Sequence, residues 1–288
     1  MSRLAVVVPT RNRPEQLKRC LSALARARDL LPFEAYVCDS SDAPVVREAV
    51  REVCEGFEFV AYFRHSGKNA GAARNFCTRV AAGEILVSVD DDVYVEPDAI
   101  LRLLEAYKRG KGWRVVAGSV AWPKDDWSEP VVMRPIGYGR RVCPGESADF
   151  IVTALFLYPR ALALACPWND RIRWRDDIFV GALWRSKGVT MMFESRARAF
   201  HDEQLNTSTG EEQGDQIYVN LFDALLANPN AVRVLAYEFL GFLAGATLYF
   251  RHPKTAWIYV TAWGNGHRRL IRDWQYLKHL VRKPLPHG

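Results

Sequence analysis

The 288-residue sequence contains no C-x-x-C pair, no uninterrupted apolar run of bilayer length and no glycine-rich phosphate loop. Each absence removes a class. Without paired spacing, the six cysteines (Cys20, Cys38, Cys54, Cys77, Cys143 and Cys166) do not form a zinc ribbon or a dense disulfide framework, and they read as reduced, buried thiols of a cytoplasmic protein. No G-x-G-x-x-G follows the first strand, and Ser66-Gly67-Lys68-Asn69 lacks the earlier glycine of a P-loop, so the common NAD and ATP signatures are missing. Met1-Ser2-Arg3 leads straight into a strand-like run with no charged n-region, apolar h-region or cleavage site, and no signal peptide is expected. The most apolar stretch, Val234 to Phe250, has Glu238 as its only charge. It falls short of the roughly 20 residues that span a bilayer and reads as a buried or interfacial helix.

Hydrophobic residues make up 49% of the chain, enough for one large core or two modest ones, and a disordered chain is excluded. The net charge of +6 is uneven. From Arg251 onward there are eight Lys and Arg against Asp273 alone, leaving the preceding residues near neutrality. A basic tail suits a membrane surface, a phosphate-bearing partner or a solvated helix face. Residues 232–288 are therefore expected to offer a membrane-surface or homodimer contact. No nucleic-acid partner is expected.

From residue 4 to about 105, strand and helix patterns alternate: strands at Leu4–Val8, Glu34–Cys38, Phe57–Phe63 and Glu84–Val89, and helices at Pro14–Arg28, Val45–Cys54 and Asn69–Ala82. That order predicts an α/β, doubly wound, mostly parallel sheet with polar residues gathered beyond its carboxyl edge. Further strands are predicted at Trp113–Val120, Phe150–Tyr158 and Val189–Glu194, a helix at Trp174–Ser186, and polar loops over 123–147 and 199–214. The last 70 or so residues read as helical. We divide the chain into residues 1–214, with halves meeting near 110, and a C-terminal helical region over 215–288.

Asp90-Asp91-Asp92 ends an apolar strand, where three like charges gain nothing from the strand and call for a cation. A divalent ion held by carboxylates keeps positions open for phosphate oxygens. A calcium EF-hand is excluded by Val95, where that loop needs glycine. A second acidic pair, Asp176-Asp177, follows Trp174-Arg175.

Four segments in register, Val6-Val7-Val8-Pro9-Thr10-Arg11-Asn12-Arg13, Cys38-Asp39-Ser40-Ser41-Asp42, Asn69-Ala70-Gly71-Ala72-Ala73-Arg74-Asn75 and Val89-Asp90-Asp91-Asp92, resemble family 2 glycosyltransferases of the GT-A fold. The resemblance covers roughly residues 4–205. It implies an inverting, metal-dependent transferase that moves a sugar from a nucleoside diphosphate to an acceptor hydroxyl. Pro9, Thr10, Arg11 and Arg13 would border the nucleotide, with Asp39 on the base and Asn69, Gly71 and Arg74 closing over it. Asp90 and Asp91 would lie near the ribose and phosphates, while Asp92, with Asp90 and His201, would hold Mn²⁺ or Mg²⁺. Asp177 would be the base and Asp176 its acceptor-binding neighbour, with Trp174 and Trp168 candidates for stacking on a sugar. The family's usual Glu-Asp pair is Asp-Asp here, which leaves the choice between the two open. The competing expectations are a sugar-phosphate nucleotidyltransferase and a non-catalytic, membrane-docked carbohydrate-binding scaffold. Localisation is expected to be cytoplasmic, with a peripheral place on the membrane as its variant.

Overall fold

The computed structural model describes residues 3–286 apart from 68, 122–126, 129–130, 134–138, 143–146, 150, 152, 203–209, 228–239, 241–242, 244–246 and 248–252. The first half alternates as its periodicity predicts: β1 (Leu4–Thr10), α1 (Pro14–Arg28), β2 (Glu34–Asp39), α2 (Pro44–Glu55), β3 (Val60–Arg64), α3 (Ala70–Val80) and β4 (Ile85–Val89). Proline at the first turn starts both α1 and α2, where its missing N–H costs nothing. The side chain of Asn69 caps α3 by accepting from the Ala72 N–H at 2.8 Å. The chain continues through β5 (Val93–Val95), α4 (Ala99–Lys108), β6 (Arg114–Ala121), β7 (Trp127–Ser128), β8 (Val131–Met133), β9 (Gly139–Arg141), β10 (Leu155–Pro159), α5 (Arg160–Ala165), α6 (Asp176–Ser186), β11 (Thr190–His201), α7 (Gly210–Ala227) and α8 (Pro253–Arg282).

The main sheet runs β3-β2-β1-β4-β10-β6-β11-β5, with β7 on β6. Its first four strands are parallel. Beyond them the sheet is mixed: β10 is antiparallel to β4 and β6, and β11 is parallel to β6 but antiparallel to β5. Alternate residues of each strand face opposite layers. Ala5, Val7 and Phe156 face a core shared with α6, α7 and α8, while Val6, Val8 and Leu157 face one shared with α1, α2 and α4. Ile217, Tyr218 and Phe222 of α7 and Leu270, Leu277 and Leu280 of α8 share the first core with Phe179, Leu183 and Trp184 of α6.

Three local expectations change. The segment 123–147 is not only a polar loop, since β7, β8 and β9 lie within it and pair through backbone hydrogen bonds. The segment 199–214 is shorter as a loop, because β11 runs on to His201 and α7 begins at Gly210. A bulge between Glu194 and Arg198 breaks the two-residue alternation there and hid the strand's continuation. Cys38 and Cys77, with Cα atoms 6.0 Å apart, are joined as a disulfide, which corrects the reading of these two as reduced. Cys20, Cys54 and Cys166 are free and buried as expected, and Cys143 lies outside the described residues. So does most of Val234–Phe250; among the described residues no helix is long and apolar enough to cross a membrane.

The bulge also explains Gly118 in β6. A Cβ there would stand 2.6 Å from the Ala197 carbonyl oxygen and 2.6 Å from Leu155 Cδ2, so only glycine lets the bulged strand approach. Gly118→Ala is expected to lower the unfolding free energy by about 1–3 kcal/mol, read from urea denaturation.

Candidate active site

The strand ends converge on a cleft of about 290 Å³ lined by Pro9, Thr10, Arg11 and Arg13 at and after the end of β1, Ser40 after β2, Asn69, Ala70, Ala73 and Arg74 at the start of α3, the three aspartates after β4, and His201 at the end of β11. This is the carboxyl edge of the parallel strands, where open α/β sheets bind ligands. Ten of the residues singled out in the sequence line it: Pro9, Thr10, Arg11, Arg13, Asn69, Arg74, Asp90, Asp91, Asp92 and His201.

Its floor is a network of charges. The Thr10 hydroxyl donates to Asp91 at 2.7 Å, and Arg13 Nη1 lies 2.5 Å from Asp92 and 3.3 Å from Asp91. Burial, then repulsion from Asp92, pushes the Asp91 carboxyl up to about 7, against the pull of Thr10 and Arg13. Asn12 adopts the left-handed φ of 60° that Asn tolerates, and its side chain bonds both the N–H and the carboxylate of Asp42. Arg11 also binds Asp42, so the loops after β1 and β2 are locked together.

His201 reaches the aspartates through strand pairing. β5 leaves Asp92 and pairs antiparallel with β11, His201 opposite Val93, and the Asp202 N–H donates to the Asp92 carbonyl at 2.9 Å. His201 Nε2 consequently stands 3.4 Å from Asp92 Oδ1. Asp90 turns the other way, toward Arg74 at 2.6 Å. Among the described residues no group of three His, Cys, Asp or Glu forms a metal cluster. The converging pair is nevertheless of the right chemistry, a hard carboxylate beside an imidazole, to hold a divalent ion that takes its other ligands from phosphate and water.

The segment around α3 faces two ways. Arg74 is buried and bridges the two acidic groups: Nη2 to Asp90, and Nη1 to Asp176 Oδ2 at 2.5 Å. Asn69 donates to the Asp170 carbonyl, and Asn75 exchanges two hydrogen bonds with the backbone of Trp168. Gly71 allows the backbone at Asn169 to approach, since a Cβ would lie 2.8 Å from its carbonyl oxygen. Much of this motif thus docks residues 168–176 against the cleft.

Six other candidates lie off the cleft wall. Asp39 is fully buried, with its oxygens accepting from the Ser41 N–H at 2.7 Å and the Tyr62 hydroxyl at 2.9 Å. Gly71 is spent on packing. Asp176 and Asp177 open α6 after Arg175, a non-glycine residue at φ 64°. The Asp177 carboxylate accepts from the Ile178 N–H, and burial followed by repulsion from Asp176 raises it to about 6. Trp174 is half-buried, its Nε1 enclosed and without a partner among the described residues, and Arg173 lies 5.6 Å from its ring centroid. Trp168 is core, packed edge-on against Tyr158 and Trp184. Sequence reasoning missed Tyr62, Tyr94 and Arg19, which anchor Asp39 and Asp202, because their partners lie 23, 108 and 183 positions away.

Known proteins share parts of this design. The chain is 32% identical over 117 residues to a validoxylamine A glucosyltransferase of Streptomyces hygroscopicus subsp. jinggangensis (strain 5008), a match covering 40% of this chain and 28% of that protein. It is 27% identical over 129 residues to a dolichol-phosphate mannosyltransferase of Pyrococcus furiosus, covering 42% and 36%. The matched region thus spans little more than a third of these relatives at most. A solved structure of GalNAc-T7 with UDP, GalNAc and Mn²⁺ superposes with a TM-score of 0.66 at 12% identity, covering 99% of this chain and 59% of that one, which establishes the GT-A fold. The profile of the family described as glycosyl transferase family 2 matches residues 5–163, more than half of the chain and the strand that leads into the aspartate triplet, and the chain belongs to that family.

Proposed function

We propose that the chain is an inverting glycosyltransferase that moves a sugar from a nucleoside diphosphate to an acceptor hydroxyl, with residues 1–214 carrying the chemistry. One observation carries the reading: Arg74 joins Asp90 in the cleft to Asp176 of the second acidic pair, so a candidate donor-binding edge and a candidate base are linked through one side chain. Arg13 and Arg11 supply cationic donors suited to a diphosphate, and the Thr10 hydroxyl orients Asp91 beneath it. Asp92 and His201 would hold Mn²⁺ or Mg²⁺, which when bound neutralises charge on the departing diphosphate.

The same bridge separates the roles of Asp176 and Asp177. Asp176 is committed to Arg74, whereas Asp177 makes no ion pair with it in this arrangement and is raised into the range of a base working near neutrality. Asp177 accepts the acceptor's hydroxyl proton as that oxygen bonds to the anomeric carbon from the side opposite the diphosphate; the diphosphate leaves with the bonding pair, and the configuration inverts. The exposed Trp257, Ile258 and Ile271 of α8, beside Arg268 and Arg272, support a membrane-surface contact as part of this reading.

The test is release of nucleoside diphosphate from UDP-, GDP- and dTDP-hexoses with Mn²⁺, in the presence of hydroxyl acceptors. The Asp177 carboxyl sits above its ordinary value, and only its deprotonated form accepts a proton, so kcat/KM should rise through an acid limb near pH 6 and level off above it. Absence of release from every donor would overturn the proposal.

A further inference from the structure

We infer that Asp215 and Arg269, both in the C-terminal helices, are positioning residues for the Asp176–Asp177 pair; the inference rests on the reading of Asp177 as the base. Asp215, in α7, is fully buried. Its Oδ2 accepts from the backbone N–H groups of Arg173 at 2.8 Å and Trp174 at 2.9 Å. Arg269, from α8, approaches the other oxygen at 2.5 Å, off the direction of a straight hydrogen bond, and donates to the Arg171 carbonyl at 3.0 Å. The helices meet closely here: a Cβ on Gly266 would lie 3.0 Å from the Gly214 carbonyl oxygen.

Packing α7 on α8 needs none of this, because the apolar side chains between them already supply the contact. A carboxylate taken wholly out of water is costly unless charge and hydrogen bonds compensate it. Here the compensation comes from one short backbone turn and one arginine, and the turn leads directly into the strained Arg175 and then the acidic pair. A second buried carboxylate repeats the design, Asp273 binding Arg171 at 2.8 Å. The C-terminal helices therefore hold residues 171–174 in place, and through them the register at which α6 begins. Displacing a base by about 1 Å costs on the order of 100-fold in rate, so this anchor acts on turnover rather than on donor affinity.

The experiment compares the wild-type chain with Asp215→Ala, Asp215→Asn and Arg269→Lys. It reads amide hydrogen exchange over residues 170–178, UDP affinity with Mn²⁺, and donor turnover against pH. Asp215→Ala is expected to speed exchange at residues 173 and 174 at least about tenfold and to lower kcat by about 10- to 100-fold, with UDP affinity within about twofold of wild type. Asp215→Asn, whose amide oxygen still accepts both N–H groups, should recover most of kcat. If Asp215→Ala does not fold, Arg269→Lys, which keeps a cation beside the buried carboxylate but gives up the planar fork that also reaches the Arg171 carbonyl, gives the same comparison with a smaller loss. Unchanged exchange, or kcat and UDP affinity falling together, would overturn the anchor while leaving Asp177 as the base. A wild-type chain that turns over no donor would overturn the reading of Asp177 and the positioning role with it.

Discussion

Asp177→Asn is expected to reduce sugar transfer about 1,000-fold while leaving nucleoside diphosphate affinity within about twofold of wild type, since a positioned general base contributes roughly 10²- to 10⁴-fold. The amide keeps the size of the carboxylate and can still accept from the Ile178 N–H, so α6 keeps its first turn. What it loses is the ability to take a proton. Asp177 lines no part of the cleft under the aspartates, which is why donor binding should survive. The measurements are single-turnover transfer and calorimetric titration with UDP in Mn²⁺. Unchanged turnover would move the base role elsewhere, with Asp176 tested next. The acid limb near pH 6 should vanish from whatever residual activity Asp177→Asn retains, because the titrating group is gone.

The second large effect is at Asp92. Asp92→Ala should weaken UDP binding in Mn²⁺ at least about 100-fold while leaving binding in EDTA unchanged, because even the loss of an outer-shell partner costs a metal site roughly 10- to 100-fold. Two features support a local effect. Asp92 is nearly enclosed between Arg13 and His201, and the backbone beside it is held by strand pairing with β11, which does not involve the side chain. Removing the carboxylate also takes from Arg13 the nearer of its two aspartates and relieves the repulsion that raises Asp91. Thermal shifts report the same loss, since a ligand that binds only the folded state stabilises it by an amount that grows with the logarithm of one plus the ratio of free ligand concentration to Kd. Equal UDP affinity with and without Mn²⁺ in the wild type would remove the metal from the site.

The edge of the cleft was legible in the sequence because it is built locally. Pro9 to Arg13, Ser40, and Asp90 to Asp92 each follow a strand whose apolar run is unmistakable, and parallel strands deliver their ends to one side of the sheet. Asp39 shows the limit of such reading, since the same strand end carries it into a buried bond with Tyr62. His201 was found by motif alone, and the bulge that aims its strand interrupts the periodicity that would have revealed it.

What the amino-acid sequence determined by itself is thus the alternating α/β order, the acidic strand end and the second acidic pair at the head of a helix, all set by spacing within one or two elements. Only the tertiary structure decided that Arg74 spans those two acidic groups, that Asn69, Gly71 and Asn75 hold residues 168–170, and that Asp215 and Arg269 brace the turn before Asp176. The physical reason is separation. These partners lie 16 to 102 positions apart, and their charges and hydrogen bonds acquire meaning only when burial excludes water and each must find its complement across the fold.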